Sequence, residues 1–422
     1  MSHPPRRTRL GVVLAAAILS LTACSQGSAT RAGADDATSS GTTTVTYMNF
    51  SANGGHEKDL QAIADAFHKE NPDIVVKIET VPYDSYFTKL QTAVAGGTAG
   101  DAFELNYENF VTYAANGSLA ELKNINTGNY RPSLVKAFAV DGKQYGLPES
   151  FSNVVLFYNK DLFQAKGIAE PKADWTWADE QNAAETLTDA ATGTWGDYQP
   201  ITFHEFYKAL AQAGGKFMSD DGAKTAFNSA EGVKAAKWLI GKSGKTMPTE
   251  ADGAGTPDFD SKKFQEGKLA MWHSGIWMFD ALKDAEFNWD IVVEPGDTTK
   301  ASAMFTNGAV VNAKSANIDA ATRWVSYLTA SKTMSEIRLA SSWELPPVAD
   351  DGVFNSYLKK GKPDNRRAVL DSLDKTVLPP VIESQQEMQD ILTRELTAAA
   401  ANRKTVEDAL ADAARAVDAL IK

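Results

Sequence analysis

The chain has 422 residues, 43% of them hydrophobic, and a formal net charge of −12 at pH 7. This length exceeds what one hydrophobic core usually holds, so we expect two domains. The acidic balance argues against nucleic acid as a partner, because proteins that bind it need a basic surface.

The N-terminus has the features of a secretory signal peptide. A basic start with Arg6, Arg7 and Arg9 precedes an uncharged apolar run over residues 10–21, and small residues follow. The run is shorter than the roughly 20 residues that a membrane-spanning helix needs. The arginine pair also fits a twin-arginine signal, although basic starts are common. We therefore predict a signal peptide over residues 1–23.

The only cysteine, Cys24, directly follows this segment. The letters LTAC that end at Cys24 resemble a bacterial lipobox, in which the cysteine receives lipid and becomes the first residue of the mature protein. An ordinary signal peptide with an incidental cysteine is the alternative. Small and polar residues then predict a flexible tether, so that residues 24–43 hold the lipidated cysteine and its linker. The N-terminus thus predicts a lipid-anchored protein on the extracellular face of a bacterial cell membrane.

Strand and helix patterns alternate along the first part of the body. Alternating apolar positions predict a strand over residues 44–50, and the helix that follows has one apolar face and ends at Pro72. Further strands are predicted over residues 73–81 and 101–106, with a second helix between them. This alternation predicts an α/β fold with parallel strands and helices on the faces of the sheet.

The rest of the chain continues this mixture of elements. A turn precedes the apolar strand Val154–Tyr158, and a helix begins near Thr176. Residues 261–284 are predicted to form a helix, a short strand and another helix. A strand over residues 301–313 and an amphipathic helix over residues 405–422 complete the pattern.

Sequence signatures of catalysis or cofactor binding are not found. His56 and His204 are each followed by glutamate but lack the second histidine of the H-E-x-x-H zinc motif. The run that begins at Gly241 looks like the end of a phosphate-binding loop, but Ala236 replaces the glycine that this loop requires. The chain also has no G-x-S-x-G motif. We therefore predict no enzyme, no cofactor and no metal, while paired carboxylates leave a secreted polysaccharide hydrolase as an alternative.

Several segments between residues 44 and 422 resemble, in order, one known family. They are similar to the family 1 extracellular solute-binding proteins of carbohydrate ABC importers, the maltose-binding-protein type. The segments that carry this resemblance are residues 67–106, 145–163, 176–187, 264–277, 306–329 and 402–421.

The resemblance implies a two-lobed periplasmic-binding-protein type II fold, with two mixed sheets flanked by helices, a hinge and an interlobe cleft. Lobe 1 would comprise residues 44–150 plus 306–344, and lobe 2 would comprise residues 151–305 plus 345–422. The lobes would close around the ligand by hinge motion.

The function that the resemblance implies is that of a substrate-binding lipoprotein of an ABC transporter. It would capture a mono- or oligosaccharide without catalysis and deliver it to the membrane permease. We expect a monomer whose partners are the carbohydrate, the permease subunits and, through the lipid, the membrane. The same fold could also bind glycerol 3-phosphate or a polyamine. A phosphate would favour arginines at the cleft, and a polyamine would favour more carboxylates.

Ligand contacts are expected at turns that follow strands, where carboxylates and amides can bind sugar hydroxyls and aromatic rings can cover sugar faces. By resemblance, Glu108 and Asn109 occupy ligand-binding positions, and helix capping is the alternative role for polar residues in these turns. The candidates from the first lobe and the hinge are Ser51, Asn53, His56, Asn106, Glu108, Asn109, Glu149, Ser152 and Asn153.

Candidates in the second lobe also follow from the resemblance. Trp277 matches a position where an aromatic ring stacks on sugar, and Gly275 allows close backbone approach. Thr202 and His204 match a ligand-facing loop, but the carboxylate and aromatic residue of the family are not reproduced there, which weakens the case for a maltose-like ligand. The later crossings between lobes add Asn307, Gly308, Trp343 and Glu344.

Overall fold

The structure is a computed structural model that describes residues 41–421 except 54, 255, 257 and 280. The predicted signal peptide, Cys24 and nearly all of the predicted tether lie outside the described residues. Across the described part, no helix combines the length and the apolar character needed to cross a membrane.

Most strands of the described residues fall where the sequence predicts them. They are β1 (Thr43–Asn49), β2 (Ile74–Thr80), β3 (Ala102–Asn106), β4 (Ala139–Val140), β5 (Lys143–Gln144), β6 (Gly146–Asn159), β7 (Met271–Gly275), β8 (Trp289–Val292), β9 (Ser302–Val311) and β10 (Thr376–Val377).

The helices of the described residues lie between and after these strands. They are α1 (Glu57–Glu70), α2 (Tyr83–Ala95), α3 (Tyr107–Ala115), α4 (Pro132–Ala137), α5 (Lys160–Lys166), α6 (Trp177–Leu187), α7 (Phe203–Gln212), α8 (Ala230–Lys242), α9 (Glu250–Gly253), α10 (Phe259–Gln265), α11 (Ile318–Ala330), α12 (Lys332–Ser341), α13 (Arg367–Asp371), α14 (Gln385–Ala400) and α15 (Val406–Asp418).

Two long antiparallel strands, β6 and β9, connect two groups of shorter strands. The first strand group consists of β1, β2 and β3 with Gly146–Asn153 of β6 and Met304–Val311 of β9; here β1 pairs in parallel with β2 and β3, and β9 runs antiparallel to β3. The second strand group consists of β7, β8 and β10 with Val154–Asn159 of β6 and the start of β9. We call β6 and β9 the crossing strands, and residues that follow β1, β3 and β7 lie close to them.

Two local predictions were wrong. The turn predicted before Val154 is strand for most of its length, because β6 begins at Gly146 and accommodates Pro148 through a register shift between Pro148 and Ser150. The helix predicted after β7 is only a 3₁₀ turn, Ile276–Met278.

Helix starts and apolar faces agree with the sequence pattern. The predicted helix after Thr176 begins there with a capping box, in which Asp179 Oδ2 accepts a hydrogen bond of 2.8 Å from the Thr176 backbone N–H. In α15 the predicted apolar face is buried, with Leu410, Ala413 and Val417 fully inside. This face packs in the core of the second strand group.

The first strand group is covered on both faces. Val45 and Tyr47 of β1 point into one hydrophobic cluster, whereas Met48 points into another with Phe103. This alternation follows from the two-residue period of a strand. A further cluster contains Phe157 of β6, so apolar packing continues along the crossing strand into the second group.

Candidate functional site

A cleft of about 870 Å³ lies where the two strand groups meet. Residues from the ends of β1 and β3, from the middle of β9 and from the first turns of α2, α3, α7 and α14 line it. Its size falls within the range of small-molecule sites, roughly 300–1,000 Å³. The cleft therefore offers room for a ligand at the edge where the sequence predicts binding.

The first turn of α3 supplies polar groups to one wall. Asn106 is the N-cap of this helix, and its Oδ1 accepts hydrogen bonds from the Asn109 backbone N–H at 3.1 Å and from Asn109 Nδ2 at 2.8 Å. Capping thus accounts for part of the bonding capacity of both amides. Both residues nevertheless line the cleft.

Glu108 connects the two sides of the cleft. Its Oε1 accepts a hydrogen bond of 3.0 Å from Gln389 Nε2 of α14 and lies 3.1 Å from His204 Nε2 of α7. The Glu108 side chain is 12% exposed and that of His204 is 35% exposed. Because Glu108 is partly exposed to solvent, its carboxylate can exchange His204 or Gln389 for a hydroxyl group of a ligand.

Two exposed aromatic rings lie in the same cleft. Trp277 is 46% exposed and packs edge-on against Phe305 with ring centroids 5.6 Å apart. Tyr83, at the start of α2, is 54% exposed and packs edge-on against Phe50 at 5.2 Å. Large aromatic side chains are usually buried when a protein folds. Two rings that remain exposed in the same cleft therefore indicate a ligand with apolar faces.

Gly275 sets the position of Trp277. A Cβ atom at Gly275 would lie 1.8 Å from Cζ3 of the indole, so only glycine permits the ring to fold back over the end of β7. The sequence predicts that Gly275 lets the backbone come close to a ligand. In the structure, the absence of a side chain at Gly275 instead lets the indole of Trp277 come close to the backbone.

The floor of the cleft lies at the crossing strands. Glu344 Oε2 accepts hydrogen bonds from Asn307 Nδ2 at 3.0 Å and from Ser150 Oγ. Ser152 is buried and lines the cleft, and so does Ser51, whose Oγ has no hydrogen-bond partner among the described residues. The floor is therefore polar, and the hydrogen bonds of its carboxylate, Glu344, come from the neutral groups of Ser150 and Asn307.

Nine of the sixteen predicted residues line the cleft and seven do not. The cleft brings together Ser51, Asn106, Glu108, Asn109, Ser152, His204, Trp277, Asn307 and Glu344. The seven outside it are Asn53, His56, Glu149, Asn153, Thr202, Gly308 and Trp343.

Glu149 lies in the interior of the first strand group instead of the cleft. Its two oxygens accept hydrogen bonds of 2.6 Å from Tyr47 Oη and from Arg338 Nη2, and all three side chains are buried. Burial raises the pKa of Glu149, and Arg338 opposes that rise. Both oxygens are satisfied within the protein, so we withdraw Glu149 as a ligand contact.

Trp343 and His56 also have structural partners. The indole is buried between the Arg338 guanidinium, 3.9 Å from the ring centroid, and the parallel His56 ring at 4.9 Å. Its Nε1 donates to the Ser51 carbonyl at 3.1 Å. Trp343 therefore supports the cleft from behind and offers no ring face to it.

The other four residues outside the cleft hold local structure or face solvent. Thr202 caps α7, since its Oγ1 accepts from the Glu205 backbone N–H at 3.3 Å. Asn153 donates to the Val369 carbonyl at 3.1 Å. A Cβ at Gly308 would lie 2.4 Å from the Phe138 ring, so this glycine serves packing. Asn53 is exposed.

Sequence reasoning missed several residues of the cleft. Tyr83 follows β2, and the rule that found Asn106 after β3 would have found it. Gln385, Gln386 and Gln389 lie on one face at the start of α14. Gln389 lies four residues after Gln385 and three after Gln386, and residues at these intervals share a helix face. This pattern at the start of a helix was the signal that the sequence offered.

A buried network of charges lies in the second strand group. Glu180, Asp197 and His273 approach within 4.8 Å of one another, as metal ligands would. Lys242 Nζ, however, lies 2.5 Å from Glu180 and 2.6 Å from Asp197. The lysine ammonium supplies the positive charge at this position, and we assign the three residues a structural role.

Neighbouring residues complete this network. His273 Nδ1 lies 2.9 Å from Glu294, and Lys208 Nζ lies 2.6 Å from Glu294 and 2.7 Å from Glu205. Burial would raise the pKa of Glu294, but His273 and Lys208 outweigh it and lower this pKa to about 2. Burial would lower the pKa of His273, but Glu294, Glu180 and Asp197 raise it well above its usual value. The imidazole is therefore held as a cation.

Comparison with known proteins relates this architecture to one family. The model of the bacterial extracellular solute-binding protein family matches residues 31–335. The maltooligosaccharide ABC transporter solute-binding lipoprotein of Streptococcus pneumoniae (strain R6) is 27% identical over 431 residues, 98% of this chain and 96% of that protein. The galactooligosaccharide-binding protein of Bacillus subtilis is 28% identical over 352 residues, 80% of this chain and 79% of that protein.

A solved structure gives the same result. The ABC substrate-binding protein Lmo0181 from Listeria monocytogenes, solved in complex with cycloalternan, is 42% identical to this chain with a TM-score of 0.83. The match covers 90% of this chain and 98% of that one. The predicted two-lobed α/β fold is confirmed by this likeness. The family model covers well over half of the sequence, and the chain belongs to the family of bacterial extracellular solute-binding proteins.

Proposed function

We propose that the protein captures an oligosaccharide in the cleft as the substrate-binding lipoprotein of an ABC transporter. The observation that carries this proposal is the pair of exposed rings, Trp277 and Tyr83, in a cleft that also holds Glu108 and Glu344. Rings suit the C–H faces of a sugar, and carboxylates suit its hydroxyls. A sugar that covered these polar groups and left them unpaired would lose about 1–3 kcal/mol for each of them.

The volume and the relatives favour an oligosaccharide over a single sugar. A cleft of about 870 Å³ is large for one ring. The Listeria protein was solved with cycloalternan, and the pneumococcal and Bacillus relatives are named for maltooligosaccharides and galactooligosaccharides. Cycloalternan and these two classes of linear sugar are therefore the ligands to test first.

The chemistry of the cleft argues against the other solutes. Its described lining contains no arginine or lysine, which a phosphate ester would need. Its described lining contains only two carboxylates, Glu108 and Glu344, and Glu108 is already bonded to His204 and Gln389, whereas a polyamine would favour more carboxylates. Both ligands stay as controls.

The remaining parts of the function follow from the family. We propose that lobe 1 (residues 44–150 plus 306–344) and lobe 2 (residues 151–305 plus 345–422) close on the sugar, and that the closed protein meets the permease. The monomeric protein would be held at the extracellular face of the cell membrane by lipid on Cys24. It would bind its ligand without catalysis.

The test is isothermal titration of the purified protein with cycloalternan, maltooligosaccharides, galactooligosaccharides, glycerol 3-phosphate and spermidine. We expect saturable binding of a sugar, and a loss of tenfold or more in Trp277→Ala, because burial of a large ring contributes about 1.5–3 kcal/mol. Val75→Ala is the matched control, since Val75 is 40% exposed but lies on β2 outside the cleft. Binding of only the phosphate or the amine would overturn the sugar assignment, and product release from the sugars would overturn the absence of catalysis.

A further inference from the structure

A second groove, of about 470 Å³, runs along the surface of the first strand group between α2 and α3. It shares two residues with the cleft, because Phe87 of α2 and Asn109 of α3 line both. The groove therefore adjoins the cleft at these two residues, on the side of the cleft that carries Tyr83 and Glu108.

The two helices present a continuous face to this path. On α2, the residues Tyr83, Phe87 and Gln91 follow one another at intervals of four, with Tyr83 in the cleft and Gln91 in the groove. On α3, Asn109 and Thr112 are three residues apart. Residues at these intervals lie on the same side of a helix. From Phe87 to the end of α2, the groove extends for about 12 Å at 1.5 Å per residue.

The groove differs from the cleft in its charge. Its described lining has no carboxylate, and its single charged group is Lys314, whereas the cleft contains Glu108 and Glu344. The lining combines amides and hydroxyls with apolar surface, which includes the aromatic rings of Phe87 and Tyr113. Such a lining suits a neutral chain rich in hydroxyls better than an ion.

The polar groups of the groove fall into two kinds. Asn116 and Asn312 hold the backbone, with Asn116 Oδ1 accepting from the Ser118 N–H at 3.1 Å and Asn312 Nδ2 donating to the Gly100 carbonyl at 3.0 Å. The side chains of Gln91 and Thr112, in contrast, make no hydrogen bond to another residue that the structure describes. Gln91 is exposed, and its amide is available to a ligand.

We propose that the α2–α3 groove is a binding site for the outer units of a linear, neutral oligosaccharide whose inner units occupy the cleft. This proposal rests on the proposed function and adds a ligand class to it, since a compact cyclic sugar would fill the cleft and leave the groove empty. Gln91 and Thr112 are the residues that distinguish long from short ligands.

The test is isothermal titration of the purified protein with linear maltooligosaccharides of two to seven units, and with cycloalternan. We expect affinity to rise with length beyond the shortest sugars. Gln91→Ala should weaken the longest sugars about three- to tenfold, the value of one or two net hydrogen bonds, and leave the disaccharide unchanged. Thr112→Val should act in the same direction. Thr92→Ala is the matched control, since Thr92 is exposed, adjacent on α2 and outside the groove.

The other outcomes are distinguishable. Affinity that stops rising at the shortest sugars, or equal losses for short and long sugars in Gln91→Ala, overturns the groove and keeps the proposed function. Binding of cycloalternan alone does the same. No binding of any of these sugars overturns the groove together with the maltooligosaccharide and cycloalternan forms of the proposed function.

Discussion

The cleft and the buried network of the second strand group both gather carboxylates around a histidine, but they differ in access to solvent. In the network, Glu180, Asp197 and Glu294 are within ion-pair distance of Lys242, Lys208 or His273, and all these side chains are almost fully buried. In the cleft, Glu108 pairs with a histidine that is 35% exposed and with the neutral amide of Gln389.

This difference shows why a cluster of charged residues does not by itself mark a binding site. The network has the composition of a metal site, yet its positions are filled by lysine and imidazolium nitrogens of the chain. A group with such partners stabilises one conformation, whereas a partly exposed group can change partners when a ligand arrives. The network should therefore control stability and the cleft should control affinity.

The largest effect is expected from Lys242→Met. It leaves Glu180 and Asp197 buried beside each other with one cation fewer, which should lower the free energy of unfolding by about 3–5 kcal/mol. Lys237→Met on the same helix is the control, because its ion pair with Glu407 is exposed and should contribute less than about 1 kcal/mol. Urea unfolding of both variants measures the difference. Equal midpoints would contradict a structural role for the network.

The pH dependence of the free energy of unfolding tests whether His273 is protonated in the folded protein. Because the pKa of His273 is raised on folding, its contribution is complete below the unfolded pKa of about 6.5 and is lost as pH rises through the folded value. Stability should therefore fall above about pH 6.5, by at most about 1.4 kcal/mol per pH unit. Because the pKa of Glu294 is lowered to about 2, its contribution is lost as pH falls from about 4.5 towards 2.

The matched variant for this effect is His273→Gln. It should be less stable at pH 6 and should have a flatter profile between pH 6.5 and 9, measured by melting temperature. A profile on the alkaline side as steep as that of the unchanged protein would show that another group causes the loss.

The contrast between the two regions also explains what the sequence could predict. Strands such as β1 and helices such as α15 follow from local apolar periods, which the sequence displays directly. Residues after β1 and β3 reach the cleft because the ends of neighbouring strands meet at one edge. The network has no such signal, since Glu180, Asp197 and His273 come from separate segments that meet only in the folded chain.

The predicted site residues show the same limit. Glu149 and Trp343 are residue types that often bind sugars, and both lie close to β6: Glu149 belongs to this strand, and Trp343 lies two residues before Leu345, which bridges to Phe151. Whether a side chain there points into the cleft or into the core depends on its partner. Arg338, which contacts both, lies on α12 and could not be assigned to them from the sequence.

The smallest effect is expected from Glu108→Gln, and it separates the two regions most sharply. The substitution keeps an acceptor oxygen but removes the charge, and charge-assisted hydrogen bonds are about twice as strong as neutral ones. Sugar affinity should fall about fivefold, a loss of roughly 1 kcal/mol. The free energy of unfolding should hardly change, because the substitution keeps a hydrogen-bond acceptor at this position and a partly exposed contact of this kind contributes little. Titration and urea unfolding of this variant beside Glu121→Gln, whose carboxylate lies outside the cleft, measure both quantities. A stability loss comparable to that of Lys242→Met would mean that the main role of Glu108 is to stabilise the free protein through His204 and Gln389, and not to bind a ligand.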